Sequence, residues 1–319
     1  MCHKYPIPSI GQRNQASIAL AKKPLHFLGV PIVATLLVSF FLSGMLSGCG
    51  VSKKVLTIQG YPQGFEAGTI ISARTGLPLT FEALIDDLRD VRVVYVGENH
   101  TNPYHHQIQL NIIQALAERG TGLAVGMEMI DRPYQPVLDE WSSGRLETDE
   151  LIKRTHWYSN WRYPFKLYAD IFEFIKSKKI RLIALNLPFH IPPKIRIGGI
   201  SSVLGCDSKY LPEHLDTSVS DHRAYIGEVF IQHHGRVKDN FEYFYEAQCA
   251  WEDGMAEAIA GHLQEAMMVI LVGNGHIFRK FGVPDRAFKR TRASFRTIYL
   301  APGGTELTSD VADYLWVTP

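Results

Sequence analysis

Short runs of nearly unbroken apolar residues recur along the chain at Val91–Val96, Leu123–Met127, Ile180–Leu185, Met267–Val272 and Phe295–Leu300. Runs of this length, ended by polar residues, fit strands buried on both faces. Stretches with helical spacing of their apolar residues lie between them: Tyr104–Glu118, Tyr134–Ser142, Phe165–Lys178, Asp221–His233 and Asn240–Leu263. Buried strands alternating with helices require right-handed crossovers, so the chain is predicted to be α/β, with a largely parallel sheet flanked by helices. Two extended segments, Val55–Ile58 and Thr69–Ser72, precede a turn at Thr75-Gly76 and a short helix over Thr80–Leu88. Residues 131–170 insert extra helices between two of the runs and are expected to form a helical cap over one sheet edge.

In open parallel sheets, ligands and chemistry collect at the carboxyl ends of the strands. Glu98 and His100 follow the first run, Glu128 the second, Asn186 and Pro188 the third, and Asn274 and His276 the fourth. Glu98, His100, Glu128 and His276 form a set of two carboxylates and two imidazoles. Such a set can hold a divalent metal and activate water, or serve as general acid and base. It can equally be a polar network that satisfies strand-end groups. Of His105 and His106, which open the next helix about 100° apart, one is expected to face this site and the other solvent. Gly273-Asn274-Gly275-His276 lacks the spacing of a phosphate-binding loop.

The segment His156–Tyr168 reads HWYSNWRYPFKLY. Its rings can stack on a flat ligand and its cations can meet acidic substituents; a tyrosinate can ligate haem iron. The other reading is a helix whose aromatics pack into the core.

With 33 Lys and Arg against 32 Asp and Glu, the net charge is +1, which argues against nucleic acid as a partner. That balance joins two unlike parts. Residues 1–48 carry Lys4, Arg13, Lys22 and Lys23 and no acid, leaving 29 bases against 32 acids in the rest. Lys22 and Lys23 precede an apolar run over Phe27–Leu46 that ends in Leu46-Ser47-Gly48-Cys49, the layout of a secretory signal. The ending resembles a bacterial lipobox, with Cys49 as the lipidated residue; a plain transmembrane anchor is the alternative. The expected organisation is a lipoprotein signal peptide over 1–48, a tether and first extended segment over 49–66, and an α/β domain over 67–319. Gly50 after the cysteine favours the outer membrane, facing the periplasm. Cys249 sits in a helical pattern and reads as a buried thiol, although Cys206 offers it a partner.

Taken in order, Gly97-Glu98-Asn99-His100 with His105-His106, Gly126-Met127-Glu128-Met129, Trp161 with Tyr168, Asn186 and Pro188, Ala247-Gln248, Met255-Ala256, Gly273–His276, and Gly282-Val283-Pro284 with Arg286 resemble a known group. It is the ChaN-like haem-binding lipoprotein family, of the Tiki and erythromycin-esterase-like superfamily, and the resemblance spans roughly residues 67–300. It implies haem binding in bacterial haem or iron uptake, by a homodimer holding two haems face to face. A tyrosine would ligate each iron, and a histidine and a lysine of the partner would meet the propionates. The candidate ligands are Tyr163 and Tyr168, with Tyr104 in reserve, and Lys166 and His156 are the propionate candidates. Relatives with the same Glu/His pattern leave a metal-dependent hydrolase as the alternative activity. The chain departs from the family at Trp251-Glu252-Asp253-Gly254, where Asp, Glu and Thr are usual, and at His190, where Arg is common.

Overall fold

The computed structural model describes residues 54–120, 122–234, 240–263 and 266–319; the leader and Cys49 lie outside the described residues. The strands are β1 (Leu56–Ile58), β2 (Gly64–Phe65), β3 (Ile70–Ser72), β4 (Leu77–Leu79), β5 (Val93–Glu98), β6 (Leu123–Asp131), β7 (Arg181–Asn186), β8 (Met267–Gly273), β9 (Phe295–Pro302), β10 (Glu306–Leu307) and β11 (Tyr314–Thr318). The helices are α1 (Phe81–Leu88), α2 (Pro103–Glu118), α3 (Gln135–Ser142), α4 (Thr148–Arg154), α5 (Trp157–Asn160), α6 (Ala169–Lys178), α7 (Ile191–Gly198), α8 (Ser220–His234), α9 (Phe241–His262) and α10 (Val283–Thr291). None of them is long and apolar enough to cross a membrane.

The main sheet runs β4-β3-β11-β9-β5-β8-β6-β7. From β11 to β7 every pairing is parallel, and β3 and β4 close the far edge as an antiparallel meander. This is the mostly parallel, helix-flanked α/β sheet predicted from the apolar runs. Alternate side chains of each strand enter opposite cores. Val94, Val96, Val125 and Leu271 pack with α2 and α6 residues such as Ile112 and Phe172. Val93, Tyr95, Ile270 and Val272 pack with Met255 and Ile259 of α9 and Val283 and Ala287 of α10. The cap helices α3, α4 and α5 lie between β6 and β7 in sequence and bury Leu138, Trp141, Leu151 and Trp157 against the first of these cores.

Helix starts follow local chemistry. Thr80 Oγ1 accepts from the Ala83 amide at 3.2 Å, and Asn102 Oδ1 from Tyr104 at 2.9 Å, with Pro103 in the first turn of α2. Three differences from the sequence reading matter. The first parallel strand begins at Val93, because the Arg92 and Val93 amides both turn to Ser294 O, and it continues to Glu98, paired with Gly273. β6 runs on to Asp131 through an irregularity in its pairing with β7 after Met127. β11, α7 and α10 were not anticipated. The folded body also starts before residue 67, since β1 and β2 pair with each other and β1 pairs with β10 in a small sheet.

Candidate functional site

β5 and β8 are neighbours, yet α2 leaves β5 toward one core and α10 follows β8 into the other. Connections diverging in this way open a crevice at the strand ends. Glu98 is the last residue of β5 and Gly273 the last of β8, directly paired. Position 97 must be glycine, because a Cβ there would stand 2.1 Å from Asn274 Oδ1. That asparagine side chain donates to Leu300 O at 2.7 Å, tying the 274–276 turn to β9.

Glu98 is fully buried. Its Oε1 accepts from the Tyr168 hydroxyl at 2.6 Å and meets His100 Nδ1 at 2.8 Å; its Oε2 accepts from Gln109 at 2.9 Å. Burial would raise its pKa, but the His100 and His106 imidazoles hold the carboxyl down to about 2. Glu128, on the irregular part of β6, accepts from the Gly273 amide at 2.7 Å, and its other oxygen lies 3.3 Å from His276 Nε2. An irregularity of this kind re-aims a side chain. His276 Nδ1 in turn lies 3.2 Å from Glu252 Oε1. Burial opposes its charge, yet the flanking Glu128 and Glu252 raise its pKa to about 10. Against the same cost of burial, Glu98 and Glu128 also raise that of His100. At neutral pH Glu98 and Glu128 therefore stand as carboxylates and His276 as an imidazolium between Glu128 and Glu252. A metal would have to displace the proton from each imidazole it used. Among the described residues, no group of three or more His, Cys, Asp or Glu is arranged to hold a metal ion.

Behind His276 the network continues inward. Glu252 Oε2 lies 3.0 Å from His222 Nε2 and 3.4 Å from Arg286 Nε. Asp253 pairs with Arg286 and, at 2.8 Å, with Arg290. Arg286 also donates to Asp216 O at 2.9 Å and to Cys249 Sγ at 3.3 Å. The swapped acids of Glu252-Asp253 are thus buried ion-pair partners. Gly254 permits a close approach, since a Cβ there would sit 2.6 Å from Leu187 Cδ2. His190 keeps a charge partner, with its Nε2 3.1 Å from Asp207. Cys249 is a buried free thiol, not a partner for Cys206.

Two cavities flank the cluster, and His100 and Trp251 line both. The larger, about 460 Å³, is walled by Tyr225, Phe244, Gln248, Tyr299 and His276 among others. The smaller, about 260 Å³, is lined by Trp161, Tyr163, Phe189, Pro192 and Pro193, with Arg162 and Arg196 at its wall. Arg162 adopts the left-handed backbone conformation (φ 71°), and Trp161 and Tyr163 on either side of it both turn to His100, at 4.7 and 5.3 Å between ring centroids. Strain of this sort in a non-glycine residue collects at functional sites. Its guanidinium lies 4.5 Å over the Phe189 ring. Among the described residues, the buried Trp251 Nε1 and Asn186 Oδ1 of this cavity's lining have no hydrogen-bond partner.

The structure brings Glu98, His100, Glu128 and His276 together and separates the other sequence-selected residues. Tyr163 lines the smaller cavity, whereas Tyr168 is fully buried with its hydroxyl committed to Glu98. Burial and the adjacent Glu98 charge push the Tyr168 phenol far above its ordinary pKa, so Tyr168 is unsuited to ligate a surface haem. Tyr104 is 55% exposed on the first turn of α2 and lines neither cavity. Lys166 lines a different cavity from Tyr163, and His156 is exposed against Tyr134. The expectation that His105 or His106 faces solvent is also corrected, since both are buried. His105 Nδ1 accepts from the Asn99 amide at 2.7 Å and its Nε2 meets Thr318 at 3.2 Å, a structural role. Sequence reasoning missed Tyr225, Arg196 and His222. The first two sit on helices whose orientation only tertiary packing sets, and His222 gains meaning only from Glu252.

Residues 84–287 match the family described as haem-binding uptake, Tiki superfamily, ChaN. Among solved structures, cofacial haem binding is described for a ChaN of Campylobacter jejuni. It is 20% identical, with a TM-score of 0.64 over 77% of this chain and 95% of that one. An erythromycin esterase mutant in its open conformation is 15% identical, with a TM-score of 0.42 over 73% of this chain and 76% of the other. No curated protein sequence matches the chain.

Proposed function

The chain belongs to the haem-binding uptake family of the Tiki superfamily, the ChaN family, and from that premise we propose that it binds haem in the strand-end cleft, with Tyr163 as the iron ligand. The makeup of the smaller cavity carries this reading. It combines aromatic and proline walls, two guanidiniums, a tyrosine ring beside His100, and the orphaned polar atoms of Trp251 and Asn186. These residues fit a flat, apolar ring with acidic substituents: the walls take the ring's face and Arg162 and Arg196 take the propionates. The Tyr163 hydroxyl has no hydrogen bond to a described residue, which leaves its oxygen available to iron. Tyr225 lines the other cavity, but burial pushes its phenol well above the ordinary value, a poor setting for a tyrosinate.

A cavity of about 260 Å³ falls below the roughly 300–1,000 Å³ of pockets that enclose a whole small ligand. One face of the ring therefore needs a second cover, and a second copy of this chain supplies it in a haem-linked homodimer. We place the protein in haem or iron uptake, exported by residues 1–48 and anchored through lipidated Cys49 to the outer membrane, facing the periplasm. The folded body begins at β1, and the residues between Cys49 and β1 serve as its tether.

The test is a titration of the full chain in detergent with ferric haem, followed by sedimentation. A saturable Soret band with a high-spin charge-transfer band, and a shift from monomer to dimer, is expected. Tyr163→Phe should lose the charge-transfer band while Tyr225→Phe keeps it; the reverse pattern refutes the assigned ligand. Metal analysis of the same preparation tests the hydrolase alternative centred on Glu98, His100, Glu128 and His276. That alternative needs stoichiometric divalent metal that Glu98→Ala loses.

A further inference from the structure

A third cavity, about 490 Å³, shares no lining residue with the two cleft cavities. It lies between the first turns of α2 and the start of α6. Its apolar wall is formed by Leu110, Leu167 and Ile171, and Lys166 and Asp170 line it as exposed charges. Neither charge makes a hydrogen bond or ion pair with a described residue. His106 lines the same cavity and is only 3% exposed, yet neither of its ring nitrogens has a hydrogen-bond partner among the described residues. Its Nε2 stands 3.6 Å from Glu98 Oε2, too far for a hydrogen bond, and its ring packs on Tyr168 at 4.3 Å. Nε2 faces the Glu98 carboxylate, but Nδ1 has no partner among the described residues. Buried polar groups in native proteins are nearly all paired, so a buried imidazole with an unpartnered Nδ1 beside a cavity points to a ligand.

We propose that this cavity is a second binding site, for a small zwitterion with an apolar body such as an aliphatic amino acid, which hydrogen-bonds His106 and sets its two charges against Lys166 and Asp170. The charge pattern selects this class. A simple anion drawn to Lys166 is repelled by Asp170, and a simple cation meets the reverse. A molecule carrying both charges satisfies the pair, and an aliphatic side chain covers Leu110, Leu167 and Ile171. Occupancy is felt in the cleft, because His106 faces the Glu98 carboxylate that also holds His100. The site stands apart from the haem reading and is tested without haem.

The probe is L-leucine, titrated into the full chain in detergent with isotope-labelled histidine rings; the His106 resonance is assigned by its loss in His106→Gln. A saturable shift of that resonance is expected. Lys166→Ala and Asp170→Ala, both at exposed positions, should each weaken leucine binding about tenfold or more. Leucinamide and isocaproate, each lacking one charge, should bind about tenfold more weakly than leucine. The proposal is overturned if leucine moves no histidine resonance at millimolar concentration, or moves those of His100 or His276 alone. It is equally overturned if the two variants titrate like the parent chain.

Discussion

On α9, Trp251 and Glu252 are consecutive, and one step of about 100° around the helix separates two opposite kinds of polar environment. On the Glu252 side, carboxylates and cations are matched and sealed. Glu252 and Asp253 face His276, His222, Arg286 and Arg290, almost all of them buried. On the Trp251 side, the indole nitrogen and Asn186 Oδ1 have no hydrogen-bond partner among the described residues, and the walls are rings, prolines and guanidiniums. The first arrangement is what a core needs if it is to contain charge at all. The second is what a surface needs if it is to take a ligand. His276 joins the two, its ring 5.1 Å from that of Trp251 while its Nδ1 meets Glu252.

The sealed side should break hardest. Arg286→Met leaves Glu252 and Asp253 buried with fewer cations, and removing one partner of a buried pair costs about 3–5 kcal/mol. Denaturant midpoints measure this directly. A loss below about 1 kcal/mol would mean that the network is hydrated or rearranges.

The pH dependence sharpens the hinge between the sides. In the folded chain His276 keeps its proton up to about 10, against an ordinary 6.5. Between those values the folded state holds a proton that the unfolded state has released, so stability falls as pH rises through that window. Below about 6.5 the contribution is complete. Glu98 acts on the acid side: its carboxyl is held at about 2 against 4.5, so its contribution is present above the ordinary value and is lost as pH falls toward about 2. His276→Gln should flatten the alkaline limb of midpoint against pH and leave the acid limb in place. An unchanged alkaline limb would assign it to another group.

A smaller effect is expected at the neighbouring helix position. Gly254→Ala puts a Cβ 2.6 Å from Leu187 Cδ2. Overpacking costs typically about 1–3 kcal/mol, partly offset by the roughly 1 kcal/mol gained when alanine replaces glycine in a helix. Combined with Leu187→Ala, the clash term should vanish and the two changes should be clearly non-additive.

Much of this arrangement was legible because buried parallel strands leave an unambiguous mark. The apolar runs located β5 to β9, and the polar residues ending them led to Glu98, Glu128 and His276. What could not be read is decided by residues far apart in sequence. His105 is structural because Thr318, 213 positions away, meets its ring. Tyr163 and Tyr168 share one aromatic segment, but Tyr163 follows a left-handed Arg162 and a 3₁₀ turn at Phe165–Leu167 stands between the two tyrosines, so no helical period relates them. No spacing rule then separates the inward ring from the outward one. Gly254 looked like a weakened helix and is instead the point where α9 meets Leu187.

The open side should yield least in stability and most in function. Tyr163 is half-buried, and its hydroxyl has no hydrogen bond to a described residue. Tyr163→Phe removes that oxygen while keeping the ring against His100 and Trp161, so the midpoint should move by no more than about 0.5 kcal/mol. The same change should abolish the iron charge-transfer band, because phenylalanine offers iron no ligand. A stability loss well above that figure would place Tyr163 with the sealed network. An unchanged spectrum would leave the cleft open and move the iron to another residue.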